Sequence, residues 1–257
     1  MQLDRRIILA EPTGVASASR GFRRYCPMTQ QQVRSLKVNG NELDRLRQKL
    51  VLLREMSPDQ ARQAIDFRAL KLNFFEALEL AKSEGKILVP NDVIDRILTE
   101  TNAKLPWHRT GTLVIYEAPG KPFGEKVVHS DVVNFNTTIS FEVPLQFRGK
   151  TDCALVIEHP DFELVSQGDN HEIRVDDTSK IHPFEHFPTT RGTWHSYDKK
   201  FRIPTGETVQ ESDNARLLWR LGGCYIGSFN REVYDCGRRR AVGASFDWSD
   251  VSRVALF

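Results

Sequence analysis

The hydrophobic period of this chain changes near residue 106, and that change limits the fold more than any single motif does. Before it, apolar residues recur three and four apart. After it, they alternate or run in short blocks between Gly, Pro, Asn and Asp turns. The first pattern buries one stripe of a helix, the second one face of a strand. The expected fold class is therefore α+β, with a basic helical part over residues 1–105 packed on a predominantly antiparallel β-sandwich or barrel-like part over 106–257. The boundary is placed at residues 101–106, and the two parts are expected to share a core.

In the helical part, Thr29 and Gln32 have capping-box spacing and open a short helix to about Lys37, followed by an Asn39-Gly40 turn. A second helix starts near Asn41, with Leu43, Leu46, Leu50 and Leu53 on one stripe and Arg45, Arg47, Lys49 and Arg54 off it. Ser57-Pro58-Asp59-Gln60 is the clearest start signal: a serine cap, a proline shaped for the first turn, and a glutamine to complete the box. The helix it opens is expected to run to Glu84 and stop at Gly85. Ala64, Phe67, Leu70, Phe74, Leu78 and Ala81 form its main face, flanked by Ile65, Leu72 and Phe75. Ile87-Leu88-Val89 reads as a short strand or buried link, and Asn91 or Asp92 opens a last helix.

Strands are expected at 112–117, 126–129, 136–143, 153–158, 162–166, 172–175, 215–221 and 224–229. Thr138, Ser140 and Glu142 alternate with Ile139, Phe141 and Val143, the pattern of a strand with one wet face. Residues 118–124, rich in Gly and Pro, read as a rigid hairpin connection whose Phe123 is free to insert into a partner. The loop has neither a dinucleotide fingerprint nor a phosphate-loop ending.

Composition excludes little. The charged and hydrophobic fractions, 27% and 40%, are those of an ordinary globular protein. The apolar run after Arg5-Arg6 is too short for a secretory signal and no stretch approaches a membrane span, so a cytoplasmic protein with no membrane partner is expected. The cysteines Cys26, Cys153, Cys224 and Cys236 form no Cys-x-x-Cys unit and are read as reduced, with Cys153 facing inward. The first 54 residues carry 11 Lys/Arg against four Asp/Glu, an excess suited to phosphate or to an acidic partner. Arg238-Arg239-Arg240, with Arg216, Arg220 and Arg231 upstream, is a second basic concentration.

Chemistry is most concentrated in the histidines. All seven fall between His108 and His195. A divalent metal such as zinc could be held by His182, His186, His195 and Asp198, with Glu185 as the base. His182 and His186 would share a face on a helix, but Pro183 and Pro188 make the segment extended, so convergence depends on loop shape. His129 with Asp131, and Glu158 with His159, are further candidates for a general base. No nucleophile elbow accompanies them. The leading functional expectation is a soluble intracellular binding or assembly protein, contacting a protein partner or its own copies. The alternatives are a metal-dependent hydrolase using the 182–195 histidines, and nucleic-acid binding through the basic amino-terminal part.

Overall fold

The computed structural model describes residues 40–257 except 71, 73, 102, 104, 106–107, 132–136, 168–169, 186, 189–191, 195–197, 204, 206–215, 220–224, 234–239 and 245–252. Among the described residues the fold is α+β, with four helices and two mostly antiparallel sheets, neither of which closes on itself. The expected helix at residues 29–37 lies outside the described residues.

Helix α1 (Gly40–Glu55) follows its leucine stripe. Leu46, Leu50 and Leu53 are buried against Ile87, Val89, Val93, Ile94, Ile97 and Leu98. Helix α2 (Pro58–Ala64) opens as its sequence dictates: the Ser57 side chain accepts from the Gln60 amide, and Gln60 returns the bond to the Ser57 amide.

The single helix expected from the Ser57-Pro58 start to Glu84 does not form. Ile65 turns to extended backbone at φ −79° and ψ 132°, and Asp66–Arg68 becomes strand β1. β1 pairs antiparallel with β13 (Arg253–Leu256), with Asp66 opposite Leu256 and Arg68 opposite Val254. Ladder pairing to a distant strand outweighs the local helical pattern, which resumes only in α3 (Phe74–Ser83). Gly85 then stops the chain as expected. At φ +58° it lets Lys86 N–H reach Ala81 O at 2.8 Å and its own N–H reach Lys82 O at 3.1 Å. Residues 87–89 are fully buried, with Ile87 and Phe257 exchanging backbone bonds and Val89 donating to Ala255. Helix α4 (Asn91–Glu100) begins after Pro90 with no side-chain cap.

The larger sheet runs β1, β13, β2 (His108–Tyr116), β11 (Tyr225–Val233), β12 (Arg240–Ala244), β10 (Arg216–Trp219), β9 (Gly192–Trp194). β5 (Ala154–Glu158) also pairs with β2, and β8 (His182–Phe184) pairs with β5. The smaller sheet runs β3 (Lys126–Asp131), β4 (Thr137–Glu142), β7 (Asn170–Arg174), β6 (Glu163–Gln167). In β4, Ile139 and Phe141 are buried while Ser140 and Glu142 are not, as the alternation requires. One core takes Leu113, Ile115, Leu155 and Ile157 from the larger sheet, Val127, Ile139, Phe141 and Ile173 from the smaller, and Phe74 and Ala77 from α3.

Residues 118–124 are not a hairpin: they carry the chain from β2 in one sheet to β3 in the other. Phe123 is 3% exposed and belongs to the core, with its backbone bonded to Lys150 and Gly149, so it is not available to a partner. An aromatic between Pro122 and Gly124 has no period to reveal its direction.

The edge of β2 is shared. Its residues His108 and Arg109 pair with β13, its residues Thr112 to Tyr116 pair with β5, and Gly111 lies at the handover. Gly111 N–H donates to Val89 O, and its carbonyl accepts from His159, each at 2.8 Å. A Cβ there would stand 2.3 Å from the Leu88 carbonyl oxygen. Gly111→Ala is therefore expected to cost about 3 kcal/mol, the upper end for overpacking, because backbone must move. Urea unfolding checks this, and an unchanged midpoint would contradict it.

Candidate functional site

The histidine run meets the larger sheet at β8, where His182 stands opposite Val156 and Phe184 opposite Ala154. The segment is extended, as its prolines imply. His182 is half-buried, its ring 5.2 Å from that of Phe201, and the Lys200 ammonium donates to its Nε2 at 3.0 Å. Burial and the Lys200 charge both push its pKa down. Glu185 is exposed just past β8, with Lys150 Nζ 3.9 Å from its carboxylate. Asp198 closes its own turn: the carboxylate accepts from Phe201 N–H, and its amide donates to Ile203 O at 3.0 Å. His186 and His195 lie outside the described residues. Among the described residues no group of three or more His, Cys, Asp or Glu is arranged to hold a metal. Cys153 is buried and its thiol pKa raised by that burial. Cys26, Cys224 and Cys236 lie outside the described residues, as do Arg220, Arg238 and Arg239.

Next to this run lies a denser polar cluster, at the end of β5. Glu158 is the last residue of β5 and Asp92 sits in the first turn of α4, where the helix dipole favours a carboxylate. Arg54, at the end of α1, joins them. One Arg54 nitrogen lies 2.6 and 2.7 Å from the two Glu158 oxygens. The guanidinium also donates to both Asp92 oxygens, at 3.0 and 3.2 Å. Burial, helped by the Asp92 charge, pushes Glu158 up to about 7 against the pull of Arg54 and Lys200.

Seven residues earlier on the same face of α1, Arg47 Nε donates to Asp161 at 2.7 Å, in the turn after β5. Asn91, first in α4, donates its side-chain amide to Phe201 O at 2.6 Å and its backbone amide to Thr112 Oγ1 at 2.9 Å. These bonds tie residues 198–202 to α4 and β2. Asp95, one turn further along α4, faces Arg202 at 3.7 Å.

His159 is buried against Phe162 and precedes a cis peptide bond to Pro160. Its Nδ1 accepts from Leu88 N–H at 3.3 Å. Burial alone drives its pKa down to about 4, so it stays neutral at pH 7 with one ring nitrogen occupied. Its contacts are those of a packing residue. His129 stands on β3 opposite Ile139, and the Asp131 side chain is outside the described set.

The sequence placed the α1 cations off the apolar stripe, but not where they point. Arg47 and Arg54, two turns apart, and Glu158 and Asp161, three apart, are matched spacings that signal the contact. Lys49 is also turned inward, donating to Gly85 O at 2.8 Å. Three of the four basic residues of α1 noted in the sequence thus meet acceptors within the molecule.

No family model, no curated protein and no solved structure matches this chain.

The enclosed His159 generates a pH prediction. Its folded pKa of about 4 lies below the ordinary 6.5, so the unfolded chain binds the proton first as pH falls. The stability due to neutral His159 is complete above pH 6.5 and is lost progressively down to about pH 4, by about 3 kcal/mol in full. The advantage of the wild type over His159→Gln in urea unfolding should therefore shrink by that order between pH 7 and pH 4. A difference that stays constant with pH would contradict the assignment.

Proposed function

We propose that this chain is a soluble intracellular binding or assembly protein, and that its contact surface for another protein chain is the outward face of α1 and α2. The observation that carries the reading is a pair of large apolar side chains left in water on α1: Val51 is 57% exposed and Leu52 50%. Leu52 continues into an open groove of about 550 Å³ whose apolar walls are Leu52, Met56 and Ala64, with Glu55, Gln60 and Gln63 at its polar rim. Val128 and Leu145 are also exposed, but they stand on other elements.

An apolar centre with an amide and carboxylate margin has the composition of a protein contact. Helix α1 already buries Leu46, Leu50 and Leu53 on its inner side, and among the described residues the outer pair is a second, uncovered apolar surface. Nucleic-acid binding through the basic amino-terminal part is the alternative; on α1 it loses Arg47, Lys49 and Arg54 to internal acceptors, and the cations of residues 1–39 lie outside the described residues. The metal-hydrolase alternative rests on His186 and His195, outside the described residues, and the described neighbours of His182 supply a lysine in contact with its ring. No described helix is long and apolar enough to cross a membrane.

The test is the double substitution Val51→Glu with Leu52→Glu, followed by sedimentation velocity for self-association and by affinity capture of a defined partner. The variant should keep its melting temperature within about 2 °C, since exposed positions away from packing change stability little. It should weaken association at least about tenfold, as loss of a central apolar anchor does. Association by the wild type that the variant retains in full would overturn the assignment of the surface. A wild type that neither self-associates nor holds any partner would overturn the reading itself.

A further inference from the structure

The polar cluster between α1, α4 and β5 has an uneven charge count, and this has a consequence separate from the contact surface. Asp92 and Glu158 have side chains only 12% and 7% exposed, and both bind the single guanidinium of Arg54. Two carboxylates on one cation leave one negative charge in excess, in a place where water is largely excluded. Holding such a charge away from water is unfavourable, and a bound proton removes that cost.

The neighbours do not cancel it. From residues 198–202, Lys200 acts on Glu158 through space, but its ammonium, on the ring of His182 on β8, is exposed and its charge is screened by solvent. From α1, Arg47 is matched with Asp161, and on α4 Asp95 faces Arg202. From β5 itself, His159 is neutral by burial.

We propose that the Arg54–Asp92–Glu158 cluster is a proton-linked clamp: uptake of one proton by its carboxyl pair tightens the docking of α1 against α4 and β5. The direction follows from linkage. When α1 lifts away, Arg54 leaves and water reaches the carboxyls, so the pair returns to ordinary acidity. The docked state therefore binds the proton more firmly than the lifted state, and falling pH favours docking. Leu46, Leu50 and Leu53 hold α1 in place at any pH, so the clamp sets how often the helix opens and does not release it.

Glu158 titrates at about 7 when docked, against 4.5 ordinarily. The protection of α1 amides should accordingly be about tenfold greater at pH 6 than at pH 8. Hydrogen exchange of the intact protein, corrected for the intrinsic pH dependence of exchange, reads this directly. In Glu158→Gln the side chain is neutral throughout, and protection should be high and equal at both pH values. Equal protection of the wild type at pH 6 and 8, or a tenfold dependence that survives in Glu158→Gln, would overturn the clamp. Should that variant fail to fold, carboxyl-carbon NMR of glutamate-labelled wild type decides. One glutamate titrating near pH 7 supports the proposal, and every glutamate titrating below about pH 5.5 overturns it. Both readouts are independent of whether Val51 and Leu52 meet a partner.

Discussion

Strand β13 is the joint on which the arrangement depends. Its four residues pair antiparallel with β1 and parallel with β2, and the backbone around it also bonds to residues 87–89. Val254 and Leu256 enter the core shared by the two sheets, and Ala255 enters the core beneath α1 and α4. Helical residues and sheet residues are thus stitched through one short buried strand. Gly111, at the handover from β13 to β5, is the corresponding point on β2, where only a residue without a side chain lets the 87–89 backbone approach.

Once that joint is set, α1 has little freedom in how it faces. Its leucines go to the core and two of its arginines fall over the end of β5, where Glu158, Asp161 and Asp92 are waiting. Exposed ion pairs contribute little, but charge-assisted hydrogen bonds to largely buried carboxylates, as from Arg54 to Asp92 and Glu158, are stronger and more directional. Cations that look like a solvent-facing basic surface in the sequence are therefore structural. The side of α1 left to the solvent carries Val51 and Leu52 among Glu42, Asp44, Arg45, Gln48 and Glu55, while Arg47, Lys49 and Arg54 turn to internal acceptors. Those two exposed apolar side chains are the reason for reading α1 as a contact element for a protein.

Much of the fold is legible because it follows from local signals. Ser57, Pro58 and Gln60 form the box their types and spacing imply, Gly85 ends α3 with positive φ, and β4 alternates as its residues do. The misreadings occur where a distant segment decides. Residues 65–68 fit a helix as well as a strand until β13 is known to lie beside them. Phe123 looks like a loop tip until the loop is seen to pass between two sheets. The site was less legible for the same reason. His182 was visible by type, but its contact with Lys200 depends on the turn that Asp198 closes, 16 residues further on. Arg54 and Glu158 are 104 residues apart, and only their spacing relative to Arg47 and Asp161 hints at a match.

The central structural claim is that β13 makes the helical residues and the sheets one cooperative unit, and scanning calorimetry of the full chain tests it most directly. A single unfolding transition is expected, with calorimetric and van't Hoff enthalpies in agreement. Two resolved transitions, with the residues of α1 to α4 losing hydrogen-exchange protection in the first and β2 and β5 only in the second, would contradict it.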